Sequence, residues 1–99
     1  MTTTSIIEVV TLTIRDGLSI EQFSTLDQAV ERKLVALQPG FISRESAPGE
    51  SGTWLVIVHW ASVADAEASM SSFSNAPAAS AFMNAIKPDS MVMTRYGLP

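Results

Sequence analysis

The sequence predicts one α+β domain of order β-α-β-β-α-β, a four-stranded antiparallel sheet with its helices packed on one face. Three observations point there. Short segments rich in Ile, Val, Thr and Trp alternate with period two, and longer segments between them repeat apolar residues at spacings of three and four. The pairs Asp16-Gly17, Pro39-Gly40 and Pro48-Gly49 punctuate the pattern where strands or helices must stop. The chain has 99 residues, enough for a single hydrophobic core.

Residues 5–15 read as the first strand, with Ile6, Glu8, Val10, Leu12 and Ile14 on one face and Ile7, Val9, Thr11 and Thr13 on the other. Ser19-Ile20-Glu21-Gln22 reads as a capping box, in which the serine hydroxyl and the glutamine side chain each accept from the other residue's backbone N–H. Behind it Ile20, Phe23, Leu26, Val30, Leu34 and Leu37 form an apolar stripe along a helix of about five turns, with Asp27, Glu31, Arg32 and Lys33 on or near the opposite side. Pro39-Gly40 ends that helix. Residues 41–46 form a second, less hydrophobic strand, expected near a sheet edge, and residues 48–52 form a hairpin loop. The third strand, residues 53–60, separates Trp54, Val56, Val58 and Trp60 from Leu55, Ile57 and His59. Ser62 caps a helix reaching Phe73, Pro77 starts a further segment reaching Ile86, and residues 90–96 form the fourth strand.

Composition narrows the functions open to such a domain. Ten acidic against six basic residues give a formal charge of −4, so neither nucleic acid nor an anionic membrane is the expected partner. With no cysteine and one histidine, disulfides, thiolate metal sites, cysteine nucleophiles and multi-histidine metal centres are excluded. The N-terminal residues carry no secretory leader pattern, and no apolar run approaches the ~20 residues of a membrane helix. These features lead us to expect a soluble, cytoplasmic protein.

Two features concern surfaces. Residues 68–86 contain no charge, which fits either a segment facing a pocket or second subunit, or an Ala/Ser-rich helix solvated through its hydroxyls. Strands one, three and four are apolar on both faces, whereas the helices can cover only one. The expected remedy is a homodimer whose two sheets face each other in a shared barrel.

The chain resembles the antibiotic-biosynthesis monooxygenase-like family of the dimeric α+β barrel superfamily. The resemblance is carried by the strand of residues 6–14 followed by Gly17, by Pro39-Gly40-Phe41, by Trp60-Ala61-Ser62-Val63-Ala64-Asp65-Ala66, and by Phe82 late in the second helical region. It implies a ferredoxin-like fold with a cavity between helices and sheet. Members use that cavity for cofactor-independent oxygenation of aromatic polyketides, quinol oxidation or haem degradation. The haem-degrading branch places an asparagine on strand one, and a tryptophan and a histidine on helix two. Here those positions fall at Val10 and near Met70 and Ser80, so haem degradation is not expected. The expected ligand is a small apolar, aromatic molecule held by Trp60, Val10, Met70, Phe73 and Phe82, with neither cofactor nor metal required.

Among candidate catalytic groups, His59 is the default base because imidazole titrates near neutrality. Alternation places it opposite Trp60, facing either the barrel or the helices. Tyr96 is a candidate donor to developing negative charge, or a half-buried rim residue. Glu8 interrupts an apolar strand and sits either at an exposed end or beside a partner such as Arg95. Trp54 and Trp60 suit ligand stacking or core packing. The methionines Met70, Met83, Met91 and Met93 suit an irregular apolar ligand or the core. A dimer that binds a ligand without catalysis is the alternative to an oxygenase.

Overall fold

A computed structural model describes residues 5–97, so the reading of residues 1–4 as free of a leader lies outside them. The elements are β1 (Ile6–Thr13), α1 (Ile20–Lys33), a 3-10 turn (Val35–Leu37), β2 (Phe41–Pro48), β3 (Thr53–Trp60), α2 (Val63–Phe73), α3 (Pro77–Asn84) and β4 (Val92–Gly97). The strands form one antiparallel sheet in the order β2-β3-β1-β4, the ferredoxin-like arrangement. The two most apolar strands, β1 and β3, are central, and β2 lies at an edge as its weaker hydrophobicity predicts.

Side-chain alternation divides the sheet cleanly. Ile6, Val10, Leu12, Trp54, Val56, Val58 and Trp60 are buried beneath the helices. Phe23 of α1 reaches into this layer with no exposed surface, its ring edge-on to Trp54 at 4.9 Å and tilted against Phe82 of α3 at 5.2 Å. These contacts tie α1, β3 and α3 together, since aromatic pairs add dispersion and quadrupole attraction to area burial.

The capping box of α1 is present: Gln22 N–H donates to Ser19 Oγ at 3.0 Å, and Ser19 N–H donates to Gln22 Oε1 at 2.9 Å. The helix is shorter than its apolar stripe suggests. Leu34 leaves helical geometry at φ −136°, and the chain tightens into the 3-10 turn. That break destroys the register of the stripe, so Leu37 is 72% exposed. Asp27 departs from expectation in the other direction, because it is buried rather than on the solvent side. It lies four residues after Phe23 and three before Val30, which places it on the buried stripe. Arg44 of β2 makes that position tolerable by pairing with it.

Gly40 follows α1 with φ +81°, and a Cβ there would collide with the Asp65 side chain at the start of α2. Ser62 caps α2, accepting from Asp65 N–H at 3.1 Å and donating to Asp65 Oδ2 at 2.9 Å. Pro77 occupies the first turn of α3, where its missing N–H costs nothing.

Candidate functional site

A cavity of about 480 Å³ lies between the sheet and the helical layer. Its floor is the covered face of the sheet, with Glu8 and Val10 from β1, Val56, Val58 and Trp60 from β3, and Arg44 from β2. Its roof is built from Ser69, Met70 and Phe73 of α2 and from Ala79, Phe82 and Met83 of α3. The uncharged segment 68–86 therefore supplies a cavity wall, which explains why it can do without charge. Met70 and Met83 are each about two-fifths exposed, at 41% and 42%. They line the cavity while remaining partly exposed, and flexible thioethers adapt to irregular apolar shapes.

Charged groups on the floor are held in pairs. Arg44, Val58, Glu8 and Arg95 stand in one rung across all four strands, because Val58 faces Arg44 and Glu8, and Glu8 faces Arg95. Arg95 Nε donates to Glu8 Oε2 at 3.0 Å. Of the alternatives for Glu8, the buried pair is the one observed. Arg44 grips Asp27 with both terminal nitrogens, at 2.7 and 3.1 Å, and reaches Glu31 Oε1 at 3.1 Å. Ser46 Oγ donates to the same Asp27 carboxylate. A buried guanidinium is stable only with such multiple acceptors. Among the described residues no group of three metal-ligating side chains converges.

All five residues expected to contact a ligand, Val10, Trp60, Met70, Phe73 and Phe82, line this one cavity. His59 and Tyr96 do not. Both flank Ile7 in register, on the sheet face that carries no helix, with Tyr96 56% exposed. A base role for His59 in the cavity required a cavity-facing imidazole, and strand alternation turns it to the other side. Reasoning from sequence also passed over Arg44 and Ser69. The signal for Arg44 was an arginine within a strand whose nearest helix carries Asp27 and Glu31 one turn apart.

The indole Nε1 of Trp60 is buried without an acceptor. Trp54, which does not line the cavity, has the same unpaired donor, so the orphan state alone does not mark a ligand site.

The fold is that of a ferredoxin-like α+β protein, and its structural neighbours include a cofactor-independent oxygenase, a candidate antibiotic biosynthesis monooxygenase and a dimeric ferredoxin-like protein. The chain is similar to SnoaB, a cofactor-independent oxygenase from Streptomyces nogalater, at a TM-score of 0.78 and 13% identity, covering 96% of this chain and 93% of that one. It is similar to a candidate antibiotic biosynthesis monooxygenase from Caulobacter crescentus CB15 at a TM-score of 0.76 and 17% identity, covering 98% and 92%. A dimeric ferredoxin-like protein of unknown function from Thermobifida fusca matches at 0.73 and 16%, covering 97% and 92%. No family model and no curated protein matches the sequence, so the likeness is one of fold. No helix among the described residues is long and apolar enough to cross a membrane.

Proposed function

We propose that this chain is a cytoplasmic, homodimeric oxygenase that works without cofactor or metal on a small, flat, aromatic molecule held in the cavity. The observation that carries the reading is the cavity itself: a mainly apolar chamber of about 480 Å³ walled by Trp60, Phe73 and Phe82, with Glu8 and Arg44 as its charged groups. That composition suits an electron-rich carbanion or phenolate, which reacts with oxygen directly once water is excluded. For a methylene flanked by aromatic rings, one atom of O₂ ends as the carbonyl oxygen. The other leaves as water with the two substrate hydrogens, and the substrate is its own reductant. The name borne by the Streptomyces nogalater neighbour supports this chemistry by analogy of fold.

The open sheet face supports the homodimer. Ile7, Val9, Leu55, Ile57 and Val92 form an apolar patch with no helix over it. Strands of this length spaced about 4.8 Å apart give a footprint of roughly 500 Å² in projection. Side-chain relief brings this toward the ~800 Å² that each partner buries in a standard interface. A second copy offers the same patch in return, and the Thermobifida fusca neighbour is described as dimeric. In this arrangement His59 and Tyr96 belong to the interface, outside the cavity chemistry.

The test is oxygen uptake with anthrones or hydroquinones as probes, compared with buffer and with anaerobic controls. Uptake above buffer that is unchanged by His59→Ala supports the reading, and no uptake with any probe defeats it. Light scattering at micromolar concentration is expected to give twice 10.6 kDa, and Ile57→Lys to halve it. A well-folded particle of single-chain mass defeats the dimer.

One observation favours a second reading, a ligand-binding dimer without catalysis. Of the polar floor groups, Arg44 is engaged by Asp27 and Glu31, and Glu8 is tied to Arg95 through one of its oxygens. A melting temperature raised by aromatic ligands without any oxygen uptake selects this reading.

A further inference from the structure

We propose that Glu8 is the proton acceptor of the cavity, and that it selects aromatic ligands bearing an acidic hydroxyl. The proposal deepens the reading above and rests on it for the cavity as the place where ligand binds. Glu8 is the one carboxylate among the described lining residues, and it is buried at 6% exposure. Its two oxygens are used differently. Oε2 accepts from Arg95 Nε at 3.0 Å, whereas Oε1 has no donor among the described residues. One oxygen thus fixes the carboxylate, and the other is left to take a proton.

The surrounding charges reinforce this division. Arg44, two strands away on the same rung, is occupied by Asp27 and Glu31 of α1 and does not neutralise Glu8. Segment 68–86, which supplies the α2 and α3 walls, brings no charge to the cavity. His59, the other candidate base, is on the far face of the sheet. Proton acceptance within the cavity therefore falls to Glu8.

In the step itself the ligand O–H bond breaks heterolytically. The proton passes to Glu8 Oε1, the electron pair stays on the ligand oxygen, and nothing is oxidised or reduced. The net charge of the pair is unchanged, because the negative charge moves from the carboxylate to the neighbouring phenolate oxygen, while Arg95 stays on Glu8 Oε2. A low-dielectric site accommodates such a transfer far better than the creation of a new charge.

The experiment measures binding of 1-naphthol and 1-methoxynaphthalene to the wild-type protein and to Glu8→Gln, followed by calorimetry. Wild type is expected to prefer the naphthol by roughly 10- to 100-fold, the range of a hydrogen bond to a charged group. Glu8→Gln, which keeps an oxygen for Arg95, is expected to abolish that preference and leave the affinity for the methoxy compound unchanged. Equal wild-type affinity for the two probes overturns the proposal without recourse to a variant. So does a preference that survives in Glu8→Gln. If oxygen uptake is found with hydroxylated probes, kcat in Glu8→Gln should fall by about 10²–10⁴-fold. A naphthol preference lost in the variant, with no uptake in wild type, keeps Glu8 as the acceptor and removes the oxygenase. Uptake unaffected by Glu8→Gln does the reverse.

Discussion

The two faces of this sheet are built from nearly the same kinds of side chain and have different fates. Leu12 and Leu55 show the contrast on adjacent strands: the first is 2% exposed on the covered face, and the second is 36% exposed on the bare face. The covered face also carries Glu8, Arg44 and Arg95, each held by an opposite charge, Arg44 by Asp27 of α1. The bare face carries His59 and Tyr96 without any such pairing among the described residues. Hydrophobicity alone therefore does not decide what is core. The number of helices and the side on which the chain crosses decide it, and charges beneath the helices survive only as pairs.

The contrast can be broken in three ways, beginning with the largest effect. Asp27→Ala leaves Arg44 buried without its two-point acceptor and should cost about 3–5 kcal/mol in denaturant unfolding. Glu31→Ala, at the 39% exposed end of the same cluster, should cost less than about 1 kcal/mol. Equal losses would show that the cluster is not divided by burial. Next come Leu12→Ala and Leu55→Ala, which remove the same atoms from opposite faces. The former should cost about 2–5 kcal/mol. The latter should cost within about 0.5 kcal/mol in dilute protein and more as concentration rises, because in the proposed dimer Leu55 is buried only by the second copy. A concentration-independent loss at Leu55 would remove the distinction between the faces. A last variant sharpens the comparison by touching neither face: Ser19→Ala, at the capping box of α1, should cost about 1 kcal/mol at any protein concentration.

Much of the fold was legible because it rests on local rules. Capping at Ser19 and Ser62, the stop at Pro39-Gly40 and the restart at Pro77 are each written in residues next to one another. The misjudged features depend on distant partners. The sequence puts Asp27 on or near the solvent side of the helix, and its burial is possible only because Arg44, 17 residues away, comes to meet it. The spacing puts Leu37 on the stripe, and nothing local announces that α1 breaks at Leu34. The five apolar positions expected to contact a ligand could be chosen from periodicity and resemblance, and they line one cavity.

The sequence by itself determined the order of elements, their caps and the apolar character of both sheet faces, since each is a matter of nearest neighbours and side-chain period. Only the tertiary structure decided which face the helices cover. That choice sends Glu8, Arg44 and Trp60 into the cavity and His59 and Tyr96 away from it. The physical reason is that a strand's period of two assigns its residues to two sides without labelling either. The label comes from where the connecting helices pack, and that is a property of the whole chain.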